Sequence, residues 1–141
     1  MIDKNLKERG LKSMKKIIII ALIVVIAVSA SYLIGTGYII NGGIYLGEYN
    51  VSEDGKEITF NAGVASSMGF IRGYKDEGGG VKPHYLKFYS AFGGLNGSWG
   101  AKNEFVLPLD ADDTEIYFYR GNGGYELVLQ KNEESGLWER P

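Results

Sequence analysis

Hydrophobic and polar positions divide the chain into three patterns. Residues 17–34 read IIIIALIVVIAVSASYLI, with two serines and one tyrosine as their only polar side chains, and the apolar character continues to Ile40. About 20 mainly apolar residues suffice for a helix to cross the ~30 Å hydrocarbon layer, and lipid forces a single spanning segment to pair its amides internally. Residues 17–40 are therefore expected to form one transmembrane helix, a signal anchor that makes the membrane this chain's first partner.

From Ile44 onward the period shortens to two, with apolar and polar residues alternating between clusters of Gly, Asn and Asp. Alternation places successive side chains on opposite faces of a strand. It predicts strands at 44–50, 57–62, 68–74, 84–92, 104–109, 115–120 and 125–131, with a short last one at 137–139. The inward set is Ile58, Phe60, Leu86, Phe88, Phe92, Phe105, Leu107, Leu109, Ile116, Phe118, Leu127 and Leu129. Opposite them stand Tyr85, Lys87, Tyr89, Tyr117, Tyr119, Glu126 and Gln130. Ser52-Glu53-Asp54-Gly55 and Gly121-Asn122-Gly123-Gly124 predict tight hairpins, and Pro83 and Pro108 fall at strand margins. Residues 75–80 and 93–102 read as glycine-rich loops.

The expected fold is thus an all-β exported domain, an antiparallel β-sandwich or small meander β-barrel, preceded by one N-terminal transmembrane α-helix. The chain divides into a basic cytoplasmic tail at 1–16, the span at 17–40, a short linker and strand start at 41–47, and the β domain at 48–141. Those last 94 residues suffice for one small domain.

Charge orients this plan. Residues 1–16 hold six basic side chains (Lys4, Lys7, Arg9, Lys12, Lys15 and Lys16) against Asp3 and Glu8, a net of +4. Of fifteen basic and seventeen acidic residues in all, nine and fifteen then remain beyond, a net of −6. The positive-inside rule keeps the N-terminus cytoplasmic and the C-terminal domain extracellular. The rival reading is a signal peptide cleaved after Ala30, at Val28-Ser29-Ala30, which secretes the same domain. A domain of net −6 repels phosphate backbones, which argues against nucleic acid as a partner, so none is expected. With zero cysteines, disulfides, thiolate zinc sites and cysteine nucleophiles are excluded too.

Gly47-Glu48-Tyr49-Asn50-Val51-Ser52, followed by Asp54-Gly55-Lys56 and Ile58-Thr59-Phe60, resembles the first hairpin of small secreted bacterial β domains, lipocalin-like ones among them. The basic, Ile-rich leader is similar to those of Gram-positive bacteria. No residue's role is carried over from either likeness.

Candidate chemistry is sparse. Asp110, Asp112, Asp113 and Glu115 gather four carboxylates within six residues, a candidate oxygen cage for Ca2+, with a solvated acidic turn as the alternative. His84, the only histidine, is expected to be structural. Tyr85, Tyr89, Tyr117 and Tyr119, with Arg120 and Asn122, form the candidate binding set, because tyrosine offers rigid apolar area with a polar tip. These features point to a non-catalytic binding or accessory role at the cell envelope, toward a protein or polysaccharide. The alternatives are an envelope hydrolase using Glu104, Asp112 or Glu115 near His84, and a small-barrel carrier of an apolar ligand.

Overall fold

The computed structural model describes residues 2–36, 39–66, 69–78, 82–92 and 100–141. Two compact units result, Met1–Leu33 and Ile34–Pro141. Helix α1 (Ile2–Thr36) takes in the basic tail as well as the apolar run, and it is long and apolar enough to cross a membrane. Its side chains from Ile2 to Tyr32 are exposed throughout.

Among its described residues the second unit holds nine strands. They are β1 (Ile39–Asn41), β2 (Ile44–Val51), β3 (Glu57–Val64), β4 (Gly69–Asp76), β5 (His84–Phe92), β6 (Glu104–Pro108), β7 (Glu115–Gly121), β8 (Gly124–Lys131) and β9 (Trp138–Glu139). Eight of them match the alternating segments. The ninth, β1, lies inside the stretch read as membrane span: the expected span ran to Ile40, whereas helix stops at Thr36 and Ile39–Asn41 pairs with β5. Apolarity alone does not distinguish a lipid-facing Ile from one in a strand.

Strands β2, β3 and β6 form one sheet, and β1, β4, β5, β7, β8 and β9 the other. Two separate sheets make a sandwich rather than a meander barrel. β5 is central: β4 pairs along one edge, while the other is shared between β7 at His84–Leu86 and β1 at Phe88–Ser90. The β5–β7 pair is parallel, against the expected all-antiparallel order. Where β1 meets the end of β7, Gly42 is required, because a Cβ there would stand 2.6 Å from the Arg120 carbonyl carbon.

Both sheets contribute to one core. Ile44, Ile58, Phe60, Ala62, Phe105 and Leu107 come from the smaller sheet, and Ile71, Leu86, Phe88, Ile116, Phe118, Val128 and Leu129 from the larger. Phe60 sits among Tyr74, Phe88, Phe105 and Phe118, with ring centroids 5.8–6.4 Å away. Burying one such ring contributes on the order of 2–3 kcal/mol. Along the seams, Ile71 bridges to Lys102, and the Tyr49 hydroxyl donates to the Trp138 carbonyl at 2.8 Å.

Both predicted hairpins form. In the first, Asp54 accepts from the Ser52 hydroxyl and the Lys56 amide, with Gly55 at φ 69°. In the second, Gly121, Asn122 and Gly123 take φ of 93°, 51° and 74°, the left-handed conformations its composition anticipates.

Two β-bulges then rearrange the faces. Register breaks between Tyr119 and Gly121 and between Ile116 and Tyr117, so Tyr119 opposes Tyr125, Phe118 opposes Glu126 and Tyr117 opposes Leu127. Leu127 therefore lies on the tyrosine face and not in the core, and Glu126 on the Phe118 side, both against the simple alternation. Phe92's side chain, Gly79 and Gly80 of the first loop and residues 93–99 of the second lie outside what is described.

Candidate functional site

β5 carries two kinds of chemistry on its two faces. His84, Leu86, Phe88 and Ser90 point inward and are buried; Tyr85, Lys87 and Tyr89 point outward and are half-buried.

On the outward face the pairing of β5, β7 and β8 brings Tyr85, Tyr117, Tyr119 and Tyr125 together. Ring centroids lie 5.2 Å apart for Tyr85–Tyr117, 4.9 Å for Tyr85–Tyr125 and 5.5 Å for Tyr119–Tyr125, the last two edge to face. The Lys87 ammonium sits 4.8 Å from the Tyr119 ring centroid and 2.9 Å from Glu77 Oε2. Glu77 also accepts from the Tyr125 hydroxyl at 2.9 Å, and Tyr117 donates to Glu115 at 3.2 Å. Hydrogen bonds from Lys87 and Tyr125 hold Glu77 below the ordinary carboxylate range, and Glu77 raises Lys87 in return. Burial, with neighbouring carboxylates, raises Tyr117 and Tyr125. The patch is a tyrosine cluster with one ion pair embedded in it.

Of the six candidate binding residues, Tyr85, Tyr117 and Tyr119 converge here. Tyr89 shares the face farther along β5, opposite Gly73 and Ile40. Arg120 does not belong to it: its guanidinium stacks over Phe118 at 5.9 Å, pairs with Glu126 and donates to the Ile44 carbonyl, clipping β7 to the start of β2. Asn122 forms the exposed tip of the β7–β8 turn. Tyr125, Lys87 and Glu77 complete the patch. Lys87 was visible by alternation, but Tyr125 needed the bulge at Arg120.

Inward, the start of β5 forms a charged cluster. His84 is 5% exposed, with Nδ1 2.6 Å from Asp76 Oδ2 and Nε2 3.0 Å from Asp113 Oδ2; the second approach is an ion pair off the line of a good hydrogen bond. Asp76 Oδ1 accepts from the Gly78 and Tyr85 amides, closing the β4–β5 connection. Asp113, 1% exposed, accepts from the Asp110 amide at 2.6 Å, closing the turn before β7. Burial alone would lower the imidazole, yet the two carboxylates outweigh it and raise His84. Burial likewise opposes ionisation of Asp113, but His84 and the Asp110 amide hold it below its ordinary value.

The candidate calcium ligands are divided among other partners. Asp110 and Asp112 face the Lys82 ammonium, Asp113 faces His84 and Lys82, and Glu115 faces Tyr117. Among the described residues no group of three or more His, Cys, Asp or Glu side chains is placed to hold a metal ion. The candidate acids are separated as well: Glu104 borders a groove of about 280 Å³ with Tyr74 and Val106, and Glu115 another of about 640 Å³ with Gln130 and Glu139. Both His84 ring nitrogens face carboxylates.

Comparison with protein families, curated proteins and solved structures found no match.

Proposed function

We propose that this is a single-pass membrane protein with a cytoplasmic N-terminus and an exported β domain that serves as a non-catalytic binding module at the cell envelope. The tyrosine cluster of Tyr85, Tyr117, Tyr119 and Tyr125 around the Glu77–Lys87 pair carries this reading. Half-exposed rings offer apolar faces for stacking, while the phenols, carboxylate and ammonium offer hydrogen bonds beside them, a combination suited to the sugar rings of an envelope polysaccharide. A protein partner is the other class such a surface accepts. The filled Phe core favours the outer surface over an internal ligand site.

Retention of the anchor is supported by the continuity of α1 through Val28, Ser29 and Ala30 to Thr36. Mass spectrometry of the membrane-extracted protein should find the N-terminus intact; a chain beginning at Ser31 would replace the anchor with a secreted domain.

Binding is tested by co-sedimentation of the detergent-solubilised full chain with cell-wall polysaccharide and, in parallel, by crosslinking to envelope proteins. Tyr119→Ala is expected to weaken binding about 5- to 30-fold, the cost of a stacking anchor of ~1–2 kcal/mol. Binding unaffected by Tyr117→Ala, Tyr119→Ala and Tyr125→Ala together would remove the tyrosine face from the function.

A further inference from the structure

Helix α1 is longer than a bilayer requires. Its 35 residues extend over about 52 Å, against a hydrocarbon layer of ~30 Å. The uncharged run begins at Ile17, so residues 2–16 continue the same helix beyond the apolar boundary.

Helical geometry sorts these residues into two faces. At about 100° per residue, Lys4, Arg9, Lys12, Lys15 and Lys16 fall within an arc of roughly 140°, with Glu8 as the acid among them. The rest of the circumference carries Ile2, Leu6, Gly10 and Met14, spaced four apart, together with Asp3 and the sixth basic residue, Lys7. All are exposed, and among the described residues no ion pair engages any of the five cations. An unneutralised basic face thus stands directly against the end of the apolar segment.

Lys12, Lys15 and Lys16 lie within five residues of Ile17, about 8 Å along the axis, which is the depth of a phospholipid headgroup layer. Their long stems can run along the helix while the ammonium groups reach phosphate oxygens. We propose that this face binds the headgroups of anionic phospholipids in the leaflet where the span begins. Proximity selects lipid over a soluble polyanion: the tether keeps Lys12, Lys15 and Lys16 in the headgroup layer at all times, where the negative surface potential acts on them, with Arg9 and Lys4 farther out along the same face. The inference rests on α1 spanning the bilayer.

The test uses the full chain reconstituted in phosphatidylcholine vesicles carrying a trace of spin-labelled phosphatidylglycerol or spin-labelled phosphatidylcholine. Electron paramagnetic resonance reads the motionally restricted lipid at the protein. The restricted fraction is expected to be about threefold or more larger for phosphatidylglycerol, and to fall toward the phosphatidylcholine value in ~0.5 M NaCl. Replacing Lys4, Arg9, Lys12, Lys15 and Lys16 with Gln, a good helix former, should abolish the preference while the protein stays in the vesicle. Equal restriction of both lipids overturns the proposal, as does a preference that survives in the Gln variant. Complete displacement of phosphatidylglycerol by a charge-equivalent oligonucleotide would assign the face to nucleic acid instead. Extraction of the chain by alkaline carbonate would remove the span, and this inference with it, whereas retention without lipid preference leaves the span standing and removes only the inference.

Discussion

His84 shows how one residue joins two connections. Its imidazolium lies between Asp76, which closes the β4–β5 connection, and Asp113, which closes the turn before β7. Lys82 adds a second cation 3.6 Å from Asp113 Oδ1. The folded imidazole is raised above its ordinary value near 6.5, so its stabilising contribution is complete below that value and is lost as pH rises through the folded pKa. Asp113 is lowered, and its contribution is present above 3.8 and lost as pH falls through its folded value. Thermal unfolding of the β domain, followed by circular dichroism, should therefore show stability declining as pH rises above 6.5. His84→Gln is expected to flatten that decline and to cost about 3 kcal/mol near pH 6, since among the described residues it leaves the Asp76 carboxylate without a cation and Asp113 with Lys82 alone. A wild-type melting temperature that is flat from pH 6 to 9 would contradict the assignment.

Strands β7 and β8 decide what the tyrosine face contains. Without its two bulges the hairpin would place Glu126 opposite Tyr119; with them Tyr125 takes that place and Glu126 turns to Arg120. The two neighbours Tyr119 and Arg120 should therefore separate cleanly on substitution. Arg120→Ala removes the donors to the Ile44 carbonyl and Glu126, and is expected to destabilise the domain by roughly 1–2 kcal/mol with little loss of ligand affinity per folded molecule. Tyr119→Ala should do the reverse, lowering affinity more than stability. Melting curves and co-sedimentation on both variants distinguish them, and equal affinity losses would place Arg120 back in the binding set.

For the whole molecule, the short strand β1 has a consequence for where the domain begins. It covers the Phe88–Ser90 edge of β5, and Asn41 donates to the Ser90 hydroxyl at 3.0 Å. A fragment starting at Ile39 is expected to be more stable than one starting at Ile44 by about 2 kcal/mol or more, because the shorter one uncovers a central strand's edge and the paired groups on it. Denaturant unfolding of the two fragments measures this, and coincident midpoints would show β1 to be dispensable.

The apolar run, the eight alternating segments, both glycine-centred hairpins and most of the core were determined by local chemistry: lipid demands an uninterrupted apolar helix, and period-two alternation and left-handed turn residues act over a few neighbours. The tertiary structure decided the rest. Parallel pairing of β5 with β7 brings the starts of both strands to one end, so that Asp113, 29 positions from His84, meets it, and acids resembling a cation cage close on Lys82 and His84 instead. Bulges exchanged Glu126 for Tyr125, and sheet pairing claimed Ile39 and Ile40 from the apolar run. Register and strand direction are set by the summed packing of two sheets, in which no single stretch of sequence has a deciding share.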